Sequence, residues 1–96
     1  MMKKIALAVA LTFSALAAHA GDAEFAAAEK YNKAGFTTAI INERLWVFKE
    51  GSPELAAYKD TGLEPSISAS LIGEGPEGMT LKAANAEVLT AFQAAQ

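Results

Sequence analysis

The 96-residue chain contains no cysteine and only one histidine, His19, and these two absences exclude whole classes of chemistry. Without cysteine there is no disulfide to stabilise a small domain and no thiolate nucleophile. His19 lies in a segment that we predict to be removed, so the mature chain has no Ser-His or Cys-His pair. The usual zinc, copper and haem ligand sets are missing for the same reason. We therefore expect no metal, no cofactor and no catalytic residue, and we predict that the chain is not an enzyme.

Basic residues are also scarce, with eight Lys and Arg against eleven Asp and Glu. Removal of Lys3 and Lys4 leaves six basic residues and a net charge of −5. Nucleic acids and anionic lipid surfaces both require clustered Lys and Arg. The sequence therefore predicts no nucleic-acid partner and no membrane association once the leader has been cleaved.

Residues 1–20 have the three parts of a secretory signal peptide. Two lysines follow the start, residues 5–17 form an apolar run, and Ala18 and Ala20 stand at the −3 and −1 positions of a cleavage site. The run is shorter than the roughly 20 residues that cross a bilayer, although an uncleaved anchor is the alternative. The sequence predicts cleavage after Ala20 and a bacterial protein, periplasmic or secreted, with residues 21–96 as one small domain.

A domain of this size buries only roughly 60% of the surface that its unfolded chain exposes. With no disulfide available, it must be stabilised by packing, by a partner or by self-association. The sequence therefore favours a homo-oligomer, or a complex with a protein or a small ligand.

The pattern of residues 21–96 predicts a small α+β domain. Residues 21–35 form a weak helix, capped by Asp22, or a flexible lead-in to the sheet. The element order α-β-β-α-β-β-α predicts a mostly antiparallel four-stranded sheet with two or three helices packed on one face. The other predicted elements are strands over 36–41 and 44–48, a helix after Ser52, strands over 66–72 and 79–82, and a helix over 83–96 that Asn85 caps.

The strand over 44–48 is the densest run of large apolar side chains after the leader. Leu45 and Val47 lie on one side of it, and Arg44, Trp46 and Phe48 lie on the other. Two apolar faces indicate a strand that is covered on both sides, or one whose second face is a contact surface. The first hypothesis is a non-catalytic binding module that uses Arg44, Trp46 and Phe48. The alternative is a structural domain in which Trp46 and Phe48 are buried beneath the N-terminal helix, with no aromatic site.

Residues 66–72 alternate serine with apolar residues, which predicts a strand with Ile67, Ala69 and Leu71 facing inward. The glycine-rich loop at 73–78 follows, with Glu74 and Glu77 as candidate loop residues. Its G-x-G-x-x-G spacing lacks the helix and the acidic residue of a dinucleotide site, so we interpret it as a wide hairpin loop. A third hypothesis is a hydrolase that uses carboxylates, with Glu74 and Glu77 or Asp60 and Glu64 as the pair.

Overall fold

The computed structural model describes residues 20–96. The predicted signal peptide, including Ala18 at its cleavage site, lies outside the described residues except for Ala20. The described residues form an α+β fold with a four-stranded mixed sheet and three α-helices. Over this range, no helix is both long enough and apolar enough to span a bilayer.

The elements follow one another in the predicted order, with two short 3-10 turns added at Glu29–Tyr31 and Pro76–Gly78. Several of them are shorter than the sequence pattern indicates. The helices and strands are α1 (Asp22–Ala28), β1 (Phe36–Ile41), β2 (Arg44–Lys49), α2 (Pro53–Thr61), β3 (Ala69–Leu71), β4 (Thr80–Ala83) and α3 (Ala86–Ala94).

Helices α2 and α3 begin at the predicted caps. The Ser52 hydroxyl accepts a hydrogen bond from the backbone N–H of Leu55 at 3.2 Å. The side-chain carbonyl of Asn85 accepts one from Val88 at 3.0 Å. Each bond satisfies a backbone donor that the first turn of a helix leaves without a partner. The prediction for α1 was wrong in detail, because Gly21 rather than Asp22 is the N-cap residue.

The β1–β2 hairpin confirms the predicted antiparallel pairing. Its two-residue turn consists of Asn42 and Glu43, which both adopt positive φ, 51° and 67°. Two residues of positive φ match the turn type whose twist suits a tight hairpin. Asparagine tolerates this conformation, whereas Glu43 has no such preference. The tight turn fixes the register in which Ile40 lies opposite Leu45.

The sheet is mixed, so the prediction of a mostly antiparallel sheet was wrong at its centre. The strand order is β1-β2-β4-β3, and β2 and β4 run parallel, with Leu45 opposite Leu81. Each hairpin is antiparallel within itself. The chain leaves β2, passes through α2, and places β3 at the far edge, so that β4 returns between β3 and β2. This path makes β3 an edge strand.

The helices pack on both faces of the sheet, not on one. Two buried clusters lie on opposite sides of β2, because successive side chains of a strand point to opposite faces. The first cluster joins Leu45 and Val47 to α3. The second joins Trp46 and Phe48 to α2. The helical residues that complete these clusters are Leu89 and Phe92 of α3 and Leu55 and Tyr58 of α2.

Strand β3 has only three residues, so the prediction of a strand over 66–72 was wrong at both ends. The register places Ala69 opposite Ala83. Continued by two residues, it would place Ile67 opposite Asn85, but Asn85 is the N-cap of α3 and is no longer part of a strand. Ile67, which was expected to face inward, is therefore 80% exposed.

Candidate protein interaction site

The predicted aromatic contact face is part of the core. Trp46 and Phe48 are only 1% and 2% exposed. Their rings stack on each other, and Phe48 stacks on Tyr58 of α2 with centroids 5.3 Å apart. Phe25 of α1 meets the rings of Phe48 and Tyr58 edge-on. Of the two alternatives for this face, exposure for binding is therefore wrong, and both rings are buried by α2 and by Phe25 of the N-terminal helix.

Arg44, the third residue of that predicted face, is exposed at the start of β2 and lies opposite Thr80 of β4. Its guanidinium donates a hydrogen bond to the backbone carbonyl of Asn42 at 3.0 Å. Arg44 is therefore exposed whereas the two rings are buried. It lies in the polar part of this face of the sheet.

That polar part continues across β4 and β3. Lys82 lies opposite Trp46 on one side and opposite Ser70 on the other. Its ammonium lies 5.5 Å from the centre of the Trp46 ring and donates a hydrogen bond to the Ser70 hydroxyl at 3.1 Å. The side chain of Lys82 therefore leans over Trp46 towards the outer edge of the sheet. Within residues 20–96, it makes no ion pair.

Three large aliphatic side chains are exposed near the same edge. Leu63, Ile67 and Ile72 are 72%, 80% and 84% exposed, and they are the exposed large hydrophobic residues of the part of the chain that the structure describes. Scattered exposed aliphatic residues are ordinary in soluble proteins. Here all three lie within ten residues of one another, and Ile67 and Ile72 bracket β3.

A cleft of about 530 Å³ adjoins the start of this segment. One side is formed by Glu54, Ala57 and Thr61 of α2 and the other by residues 63–67 of the connector to β3. Leu63 and Ile67 thus combine high exposure with a concave surface beside them.

The two edges of the sheet differ in how they are protected. The backbone N–H of Thr38 in β1 donates to the side-chain carbonyl of Asn32 at 2.7 Å, and the N–H of Phe36 donates to the carbonyl of Lys33 at 2.9 Å. These bonds occupy backbone donors of β1 in the way that natural proteins protect an edge strand. Among residues 20–96, no segment pairs with the outer side of β3.

The loop at 73–78 is tied to the end of the first helical segment. The Tyr31 hydroxyl donates to the Glu77 carboxylate, and the Lys30 ammonium lies 3.9 Å from the same carboxylate. Position 75 has room only for glycine, because a Cβ there would lie 2.8 Å from the backbone oxygen of Met79. Glu77 thus serves as a tether between the loop and Tyr31.

Glu74 lines a second cleft, of about 520 Å³, between this loop, residues 30–33 and the end of α3. One charged group of this cleft, the Lys33 ammonium, already contacts α3. The Lys33 ammonium donates to the backbone carbonyl of Phe92 at 2.9 Å and lies 4.4 Å from the centre of its ring. Lys33 therefore joins the segment after α1 to α3 across this cleft.

The remaining acidic candidates do not come together as a metal site. Over residues 20–96, no cluster of three or more His, Cys, Asp or Glu side chains could hold a metal ion. Glu64 accepts a hydrogen bond from the Asn42 amide at 3.3 Å. No protein-family model, curated protein or solved structure matches this chain.

Sequence reasoning missed Lys82 and the exposed aliphatic residues as parts of one surface. A usable signal was present, because residues 66–72 contain neither charge nor proline, the two devices that most often protect an edge strand. A strand inside a sheet needs no such protection, so this absence indicates an edge only once the strand order is known.

Proposed function

We propose that this chain is a small exported, non-catalytic interaction module that binds a partner polypeptide at the outer edge of β3. The observation that carries the proposal is the exposure of Leu63, Ile67 and Ile72 beside an edge strand that nothing in the described chain pairs with. Large apolar side chains around an unprotected edge are typical of a contact surface.

The polar surroundings of this edge suit a protein partner. Ser68 and Ser70 are exposed in residues 66–72. Lys82 donates a hydrogen bond to Ser70 and has no ionic partner in the described part of the chain. Apolar anchors within a polar rim are the usual composition of a protein interface. The surface therefore offers aliphatic contact, hydroxyl groups and one basic group within a short length of chain.

Export is the second part of the proposal, and it is supported by residues 1–20. The basic start, apolar run and small residues at Ala18 and Ala20 favour cleavage after Ala20 in a bacterial periplasm or during secretion. We expect the protein recovered from the periplasm of a Gram-negative host to begin at Gly21 by mass spectrometry. Replacement of Ala20 by Phe should leave the leader attached, and a wild-type product that retains it would refute this part.

The partner surface is tested with a photo-crosslinking amino acid in place of Ile72, in cells that produce the protein. Thr90, exposed on α3 and outside residues 63–72, is the matched control position. We expect a discrete polypeptide adduct from position 72 that is absent from position 90 and weakened by Lys82→Glu. Equal adducts from both positions, or none from position 72, would contradict the proposed surface.

A further inference from the structure

We infer that the partner at β3 is an extended polypeptide that adds as a fifth strand and places acidic side chains beside Lys82 and aliphatic side chains on the opposite face. This inference rests on the proposed function, since it specifies the partner of the same surface. Three observations carry it: the unpaired edge, the different character of the two faces, and the position of the lysine.

The unpaired edge favours an extended segment over a helix. An edge strand presents a row of backbone donors and acceptors that another strand can satisfy, and this is the basis of peptide recognition by strand addition. Residues 66–72 carry no charged or proline side chain that would prevent it. Three strand residues offer few hydrogen bonds, so contacts with Ile67 and Ile72 must supply much of the affinity.

The two faces of β3 demand different side chains from an added strand. Ala69 and Leu71 face the apolar cluster that packs against α3, and both are only partly buried. Ser70 faces the polar side and is exposed. An added strand continues both faces, since its side chains alternate with period two. Aliphatic residues at every second position would therefore cover Ala69 and Leu71.

The position of Lys82 decides which charge suits the other face. Its ammonium is drawn to the Ser70 hydroxyl, at the edge where a fifth strand would lie, and no ion pair within residues 20–96 neutralises it. An acidic residue of the added strand next to Ser70 would lie within reach of this ammonium. The residues 66–72 of a second copy present only serines and Ile72 on that face, so they leave Lys82 unpaired.

The test uses a capped nonapeptide of alternating aspartate and valine, with a lysine-valine peptide as its matched control, on the 21–96 chain isolated from the full-length protein after cleavage. Amide shifts and hydrogen exchange report the binding site at near-physiological salt, where the screening length is about 8 Å. Because the mature chain carries a net charge of −5, non-specific attraction favours the lysine peptide. We expect the opposite order, with shifts and slowed exchange centred on residues 66–72.

The variants separate local from general charge effects. Lys82→Gln should weaken binding of the aspartate peptide about 2- to 5-fold, as expected for loss of one exposed ion pair. Lys59→Gln makes the same charge change on the exposed side of α2 and should leave the affinity unchanged. An equal effect of the two variants would refute the role of Lys82.

The outcomes also distinguish this inference from the function on which it rests. Tighter binding of the lysine peptide, shifts confined to another segment, or β3 shifts that depend on protein concentration without peptide would overturn the acidic strand. A position-72 adduct would then still support the partner surface. Absence of that adduct would overturn the surface itself.

Discussion

The rings of Phe48 and Tyr58 lie 5.3 Å apart with an angle of only 18° between their planes. Phe48 stacks in turn on Trp46, with centroids 6.1 Å apart. A column of three rings thus connects β2, in the middle of the sheet, to α2. Each of these residues is at most 2% exposed, and together with Leu55 of α2 the column forms the apolar contact between that helix and the sheet.

Removal of the outer ring should detach α2. We expect Tyr58→Ala to lower the free energy of unfolding by about 3–5 kcal/mol, as for other aromatic truncations in cores. Tyr58→Phe retains the ring and is the control, with a loss within about 1 kcal/mol. Trp46 is the sole tryptophan, so its fluorescence during urea unfolding measures both variants. Equal stability of the alanine and phenylalanine variants would argue against the column.

The same tryptophan tests the placement of the core directly. Trp46 is 1% exposed, so its emission should be blue-shifted and resistant to acrylamide quenching in the mature protein. The spectrum should not change on dilution, because the covering residues belong to the same chain. Red-shifted, readily quenched emission would show that the indole is on the surface.

In an alkaline titration, both tyrosines should show a pKa above the ordinary value of 10.0. Burial, followed by the charges of Glu24 and Glu64, raises the pKa of Tyr58. The hydrogen bond to Glu77 is the largest cause of the raised pKa of Tyr31. Absorbance titration of Tyr31→Phe and Tyr58→Phe isolates each group, since the chain has two tyrosines.

A stability change follows from these shifts, and its direction is fixed. Below pH 10 both tyrosines are protonated in the folded and unfolded states, so their contribution to the free energy of unfolding is fully present. As the pH rises through 10, the unfolded chain loses its protons first, and stability falls until the folded pKa values are passed. Unfolding free energy that rose with pH over this range would contradict the raised pKa values.

Asn32 protects the edge at β1, and its replacement should be costly for a residue on the surface. Asn32→Ala leaves the buried Thr38 without the acceptor for its backbone N–H, and we expect a loss of about 1–3 kcal/mol. Asn32→Asp keeps an acceptor oxygen and should be closer to wild type. Denaturant unfolding measures the difference. A similar loss in both variants would show that the acceptor is not the cause.

Gly21 and Gly35 separate backbone strain from steric overlap. Both have positive φ, 84° and 86°. A Cβ at Gly21 would lie 2.5 Å from Tyr58 Cε2, whereas a Cβ at Gly35 meets nothing within 4 Å. Gly35→Ala should therefore cost about 1–2 kcal/mol from strain alone, and Gly21→Ala should cost a further ~1–3 kcal/mol. Equal thermal destabilisation would show that Tyr58 moves aside freely.

Ile72→Ser should leave stability nearly unchanged, within about 0.5 kcal/mol, because the side chain is 84% exposed. The control substitution is Leu81→Ser. Leu81 lies in the core and is 2% exposed, so this variant should be unfolded or greatly destabilised. Thermal unfolding compares the two. A large loss on Ile72→Ser would show that this residue serves the fold.

The sequence predicted local features of this fold better than its assembly. Ser52 and Asn85 act through neighbours a few residues away, so their patterns are complete in the sequence. The order of the two hairpins in the sheet depends on contacts between strands distant in the sequence. Both faces of β2 would be apolar whether β4 ran parallel or antiparallel to it, so the pattern of β2 does not indicate the direction. The alternating pattern of residues 66–72 was misleading because the length of its partner strand is set elsewhere, by the start of α3 at Asn85.

The candidate site was harder to predict for the same reason. Arg44, Trp46 and Phe48 share a face, as the period of a strand requires, but whether a helix covers that face is not encoded locally. The helix covers the two rings and leaves Arg44 exposed. Lys82 becomes significant only when β4 lies beside β2, and no feature near Lys82 in the sequence indicates that neighbour.

The unequal protection of the two sheet edges determines what kind of assembly this chain can form. A molecule with two available edges can join others at both ends and grow without limit into a filament. Here Asn32 and Lys33 accept hydrogen bonds from two backbone donors of β1, whereas no segment of residues 20–96 pairs with the outer side of β3. If a strand adds at β3 as proposed, this difference favours a complex that stops after one partner. Loss of Asn32 would remove that limit and allow polymers.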